Sequence, residues 1–380
     1  MKVARRADIA PFYAMEVLKA ANQRAAEGGD VLHLEVGEPG AGTPRAVRAA
    51  AQAALVNAHL GYTEAFGLPE LRQRIARHYA DTYGASVSPE RVVLTAGSSA
   101  GFVLAFLSAF DRGDRIALGV PCYPAYRNIM LAQGIEPVYL RTDASTRYQP
   151  TVAMLQAAGP VDGLLIASPA NPTGTMIPPA DLFALADYCE RKGIRLISDE
   201  IYHGITYGAE AATVAGRAPG AIVLSGFSKY YCMTGWRLGW AVVPDDLVRA
   251  IERLQQNFFI SAPNIAQRAA LAAFDCEDEL RTNVAAYAEN RALLLEMLPR
   301  SGIPDLAPTD GAFYIFANVA KLTNDSSEFC RRLLADTGVA ITPGIDFDAE
   351  QGHAYVRLSF AGSTATIAEA ARRIEKWLKR

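Results

Sequence analysis

The sequence predicts an α/β protein: a mainly parallel seven-stranded sheet sandwiched by helices, with a smaller α+β unit beside it. Two observations carry this expectation. Between Arg91 and Val243 short apolar runs alternate with helix-length stretches, the pattern of a doubly wound sheet covered on both faces. After Pro244 the chain is helical for a long stretch and then alternates strands with helices, so a differently built unit follows. A length of 380 residues is also long for one core.

Taken in order, Ile9 to Glu27 reads as an amphipathic helix closed by Gly28 and Gly29, and VLHLEV at 31–36 as a short strand. The loop GEPGAGTP follows, with Thr43 as cap and Pro44 as first residue of a helix running to about His59. A loop from Gly61 to Gly67 leads to LPELRQRIARHYADTYG, a helix with an end glycine. The seven sheet strands are expected at 91–95, 115–119, 136–140, 163–167, 194–198, 221–225 and 238–243. IERLQQNFFI, IAQRAALAAF and 278–298 read as helices; 311–319, 338–342 and 354–360 read as strands before a last helix, 364–379.

Composition excludes several classes of function. The chain is 51% hydrophobic and 20% charged with a net charge of −3, which gives no basic field for nucleic acid, and it has no Lys/Arg block or zinc-type Cys/His cluster. Its 5 cysteines are odd in number and widely spaced, as expected of free thiols in a reducing cytoplasm. The N-terminus MKVARRADIAPFYAME lacks the apolar core of a secretory signal, and the most apolar run, Gly101 to Phe110, is too short to span a bilayer. The expectation is a soluble cytoplasmic protein acting on a small molecule.

Chemistry concentrates in a few segments. In AIVLSGFSKYYCMTGWRLGWAVV, Lys229 follows an apolar strand through the small residues Ser225, Gly226 and Ser228, and Arg237 adds a second cation. A buried amine has a lowered pKa and becomes a usable nucleophile and Schiff-base former, although a strand-end lysine also reaches solvent readily. SDEIYHG (198–204) puts Asp199 and Glu200 at the carboxyl end of a strand, where open α/β sheets bind ligands. TAGSSAGF (95–102) offers the amides of Gly97, Ser98 and Ser99 at a helix start, suited to a phosphate, though such turns are common. SPANPTG (168–174) is by itself a turn, and PCYPAY (121–126) sets Tyr123 between prolines. In YVRLSF, Arg357 lies on an apolar strand, where a guanidinium needs a partner: a carboxylate ligand or an acidic side chain.

GFSKYYCMTGWRLG resembles the lysine signature of the class I/II aminotransferases, enzymes of pyridoxal 5'-phosphate (PLP) fold type I similar to aspartate aminotransferase. Cys232 departs from the usual pattern of a smaller residue. The resemblance implies that Lys229 is the Schiff-base lysine, that Ser228, Arg237 and the 97–99 turn bind the cofactor phosphate, and that Asp199 pairs with the pyridine nitrogen and keeps it protonated. It further implies that Asn171 and Tyr202 hydrogen-bond the phenolic oxygen, with a cis peptide before Pro172, and that Tyr123 stacks on the ring. Arg357, helped by Gly37 and with Asn171 beside it, would bind the substrate α-carboxylate. Tyr62 would cross a homodimer interface to the neighbouring phosphate. Glu200 and His203 are expected in supporting roles.

By the same resemblance, residues 44–277 form a large PLP-binding domain, and 1–43 with 278–380 a small one. The implied activity is transfer of an amino group between a neutral or aromatic L-amino acid and a 2-oxo acid. Two alternatives are a PLP-dependent C–S lyase or decarboxylase on the same scaffold, and a PLP-binding regulatory module. Partners are small molecules, with no nucleic acid, membrane or metal.

Overall fold

Strand formation follows the apolar runs closely. The computed structural model describes residues 1–380. Its strands are β1 (Leu32–His33), β2 (Val92–Thr95), β3 (Arg115–Val120), β4 (Glu136–Arg141), β5 (Gly163–Ala167), β6 (Arg195–Asp199), β7 (Ile222–Gly226), β8 (Gly239–Val242), β9 (Tyr314–Asn318), β10 (Val339–Ala340), β11 (Thr342–Pro343) and β12 (Tyr355–Ser359). β2 to β8 make one seven-stranded sheet in the order β2-β8-β7-β6-β5-β3-β4. All seven expected sheet strands are present. β3 pairs parallel with β4 and β5, β5 with β6 and β6 with β7, whereas β8 runs antiparallel to both of its neighbours, β2 and β7.

Alternation along each strand feeds two cores. Leu164, Ile166, Leu196 and Val223 belong to one cluster with Leu71, Ile75 and Trp240. Leu165, Ile197, Ile222 and Leu224 belong to another with Phe102, Phe106 and Ile116. A period of two places successive residues on opposite faces, so a strand covered on both sides is apolar throughout.

A third cluster, with Leu34, Phe313, Ile315, Leu333, Val356, Leu358 and Ile367, lies around the antiparallel sheet β11-β12-β9. The chain's start joins it: β1 pairs parallel with β10, and the Leu34 amide donates to the Ala340 carbonyl at 2.9 Å. The run at 338–342 splits because its halves serve different sheets, β10 on β1 and β11 on β12.

Two helix starts depart from expectation for reasons absent from the local sequence. The first long helix begins at Tyr13 rather than Ile9, because both carboxylate oxygens of Asp346 accept from the Tyr13 and Ala14 amides at 3.1 Å and so cap it. Pro44, not Thr43, occupies the cap position of Arg45–Asn57. The Thr43 hydroxyl instead donates to the Cys232 carbonyl at 3.1 Å and accepts from the Trp236 indole at 2.9 Å. The long C-terminal-unit helix runs Glu277–Arg300 and carries Pro299 in its last turn. No helix is long and apolar enough to cross a membrane.

Candidate active site

The loops leaving the carboxyl ends of β2, β3, β5 and β6 meet at one edge of the large sheet. Because β8 is reversed, its amino-terminal end lies there too, so the whole connection from β7 to β8 (227–238) belongs to that edge. The second unit faces it with Gly37 and with Arg357 of β12. Between them is a cavity of about 360 Å³ lined by Gly37, Ser98, Ser99, Tyr123, Asn171, Asp199, Tyr202, Ser228, Lys229, Arg237 and Arg357.

Burial makes Lys229 reactive. Removal of its amine from water lowers the pKa from 10.5 to about 8, with Arg357 acting in the same direction and Glu38 opposing. The amine donates to the Gly37 carbonyl at 2.5 Å. Asp199, the last residue of β6, is shifted the opposite way: burial raises its carboxyl from 3.8 to about 6, against hydrogen bonds from the Tyr126 hydroxyl and the Ile201 amide and the attraction of Lys229. No cation of the chain forms an ion pair with this buried acid, so it suits a protonated heterocyclic nitrogen.

One end of the cavity is built for an anion. Ser98 and Ser99 open the helix Gly97–Ala109, which follows β2 and has no side chain capping its first turn, so its amides and its positive dipole end are free. Gly97 has φ of +76°, and a Cβ at this position would strike the Arg237 guanidinium, so glycine both permits the turn and leaves room for that cation. Ser228 and Arg237 complete this end.

Arg357 shows what the other end lacks. It is 2% exposed, and its guanidinium donates to the Asn171 Oδ1 at 3.0 Å, to the Thr342 hydroxyl at 3.2 Å and to the Glu35 carbonyl. It packs over the rings of Tyr314 and Phe347, at 4.5 and 4.8 Å from their centroids. No acidic side chain pairs with it, and its buried Nε has no partner. A guanidinium held by neutral groups, with an N–H left over, is prepared for a carboxylate that the chain does not supply. The same contact orients Asn171: with its oxygen turned to Arg357, its NH₂ is left as a donor.

The aminotransferase class I and II family model matches residues 29–374. The chain belongs to this family. It is 53% identical to the valine–pyruvate aminotransferase of Mycobacterium tuberculosis, over 99% of this chain and 98% of the relative. It is 36% identical to the (5-formylfuran-3-yl)methyl phosphate transaminase of Methanocaldococcus jannaschii, over 97% of both. Among solved structures, an aminotransferase from M. tuberculosis superposes with a TM-score of 0.98 at 52% identity, covering 100% of this chain and 99% of that one. Aspartate aminotransferase from Thermus thermophilus with maleate gives 0.93 at 31% identity, covering 99% of each. The fold is that of the PLP fold-type I aminotransferases, and the protein is a PLP-dependent transaminase acting on amino and 2-oxo acids.

The aminotransferase site residues fit the cofactor. The free helix start with Ser98, Ser99, Ser228 and Arg237 would hold its phosphate, Asp199 its ring nitrogen, Tyr123 its ring face, Asn171 and Tyr202 its phenolic oxygen, and Lys229 its aldehyde carbon. The Asn171–Pro172 bond is cis. Of the residues expected to bind cofactor or substrate, Gly97 and Tyr62 do not line the cavity: Gly97 lies behind it, against the Arg237 guanidinium, and Tyr62 is 83% exposed. Glu200 and His203 also lie outside it. Glu200 accepts from Ser198, Thr213 and the Val214 amide, and burial raises its carboxyl to about 8; His203 bridges the Tyr83 hydroxyl and the Ser168 carbonyl.

Sequence reasoning passed over two site residues. Tyr126 donates to Asp199 and stands in the PCYPAY segment already singled out. Tyr314, in GAFYIF, contacts Tyr202. The first long helix also contributes Ala14 and Met15.

Proposed function

We propose that this aminotransferase moves the amino group between a neutral, apolar L-amino acid and a small 2-oxo acid such as pyruvate. The cavity supports this through its cations: it holds Lys229, Arg237 and Arg357, and covalent attachment, phosphate and α-carboxylate claim all of them. None from this chain is left for an acidic side chain, while Phe12, Ala14, Met15, Val36 and Ile129 line the remaining wall. The relative from M. tuberculosis, named for valine and pyruvate, supports the same pair.

Bound there, PLP supplies a sink for the electron pair left when the substrate loses its α-proton. The chain's residues do the rest. Arg357 fixes the α-carboxylate, and the Lys229 amine takes the proton from the α-carbon and returns it one step later. Asp199 keeps the ring nitrogen protonated, and Asn171 and Tyr202 hold the phenolic oxygen. The working unit is a cytoplasmic homodimer in which Tyr62 reaches the partner's phosphate site; its exposure, and that of Phe258 and Ile260, support an interface, and five free buried cysteines suit a reducing compartment. The large domain is 44–277, and 1–43 with 278–380 form the small one.

The test is a panel of single amino acids with pyruvate, scored by alanine formed. Valine and similar side chains should exceed aspartate and glutamate in kcat/KM by about 100-fold or more, the cost of burying an unpaired carboxylate. Equal rates would rule out the apolar assignment.

A second expectation concerns pH. Only the neutral amine attacks the cofactor's aldehyde, and the Lys229 pKa is about 8, so capture of PLP by the unloaded protein should accelerate as pH rises and level off above about 8. Rapid-mixing absorbance measurements check this, and a rate that falls across that interval would contradict it.

A further inference from the structure

The hydroxyls of Tyr202 and Tyr314 lie 2.7 Å apart, and each has the other as its only hydrogen-bond partner in the chain. Both residues are buried, at 4% and 1% exposure, and both line the cavity. Tyr314 is tightly held. Its ring carries the Arg357 guanidinium at 4.5 Å and meets the Tyr202 ring edge-on at 5.7 Å. Its hydroxyl occupies the space beside Gly37, where a Cβ would coincide with it. The charged groups acting on Tyr202 are Arg357 and Asp199.

Each phenol has one proton to give. If Tyr202 spends its proton on Tyr314, it has none for a cofactor oxygen. If Tyr314 gives its proton to Tyr202, the Tyr202 proton is free to turn into the cavity, and a hydroxyl that accepts while it donates is the stronger donor. With no other acceptor in reach of Tyr314, only the second arrangement lets both protons be used.

We propose that Tyr314 is a positioning residue whose hydroxyl donates to Tyr202 and so aims and strengthens the Tyr202 hydroxyl as donor to the cofactor's phenolic oxygen. This rests on the PLP-binding role assigned above to Tyr202. Through its ring Tyr314 also ties that hydroxyl to Arg357, so the carboxylate-binding cation and the phenolic-oxygen donor share one support.

The experiment is a pH titration of the visible absorbance of the full-length PLP-loaded protein, comparing wild type, Tyr314→Phe, Tyr202→Phe and the double variant. A donor at the phenolic oxygen favours negative charge there and hence the deprotonated chromophore, which holds the midpoint down. Tyr314→Phe should therefore raise the midpoint by a few tenths of a pKa unit, a fraction of one charge-assisted hydrogen bond. Tyr202→Phe should raise it further, and adding Tyr314→Phe to that variant should change nothing more. An unchanged midpoint in Tyr314→Phe, or an equal shift in the Tyr202→Phe background, overturns the inference alone. A wild type that forms no visible band with PLP overturns the cofactor assignment and the inference together.

Discussion

Lys229→Ala should abolish transamination, lowering kcat by about 10,000-fold or more, because covalent capture and proton transfer at the α-carbon both depend on one amine. The visible absorbance of the PLP-loaded protein should disappear with it. Folding should be spared: the amine's hydrogen bond within the chain is to the Gly37 carbonyl, and removing a buried, desolvated cation relieves a cost. Circular dichroism and thermal melting separate the two effects. A variant with native fold and activity within tenfold of wild type would remove Lys229 from the chemistry.

Arg357→Lys should have the second-largest effect, lowering kcat/KM for the amino acid by about 100-fold or more, roughly 3 kcal/mol, mainly through KM. Charge is kept but the planar fork is lost. An ammonium cannot grip a carboxylate bidentately while also holding the Asn171 oxygen and the Thr342 hydroxyl. With Asn171 released, its NH₂ loses its fixed aim, so a smaller fall in kcat should accompany the rise in KM. The absorbance of the loaded protein should persist, since Lys229 is intact. Steady-state kinetics with varied amino acid checks this, and an unchanged KM would show that the α-carboxylate binds elsewhere.

The sheet was legible because a strand covered on both faces is apolar on both, and β5 reads so from end to end, as do Leu196–Ile197 of β6 and Ile222–Leu224 of β7. The candidate site was legible where a charged residue ends or closely follows such a strand, as Asp199 ends β6 and Lys229 comes soon after β7. What stayed hidden depends on contacts between distant parts of the chain. Asp346 caps a helix more than three hundred residues earlier in the sequence, and nothing near Tyr13 announces it. Tyr126 and Tyr314 are ordinary aromatics in their own segments and acquire a role only when the fold brings them to Asp199 and Tyr202. Arg357 could be picked out as a cation on an apolar strand, but that no acid of the chain answers it emerges only from the folded arrangement.

The reversed strand β8 has a consequence for how this protein can tolerate change. A single hairpin carries both the amine that would tether the cofactor and the guanidinium that would grip its far end, and the ladder Gly226↔Gly239 clamps the two arms at its base. An inserted or deleted residue between Lys229 and Arg237 would stretch or shorten the span between two fixed moorings of a rigid molecule. The same change in an outer surface turn, such as that around Gly208, would alter no such span.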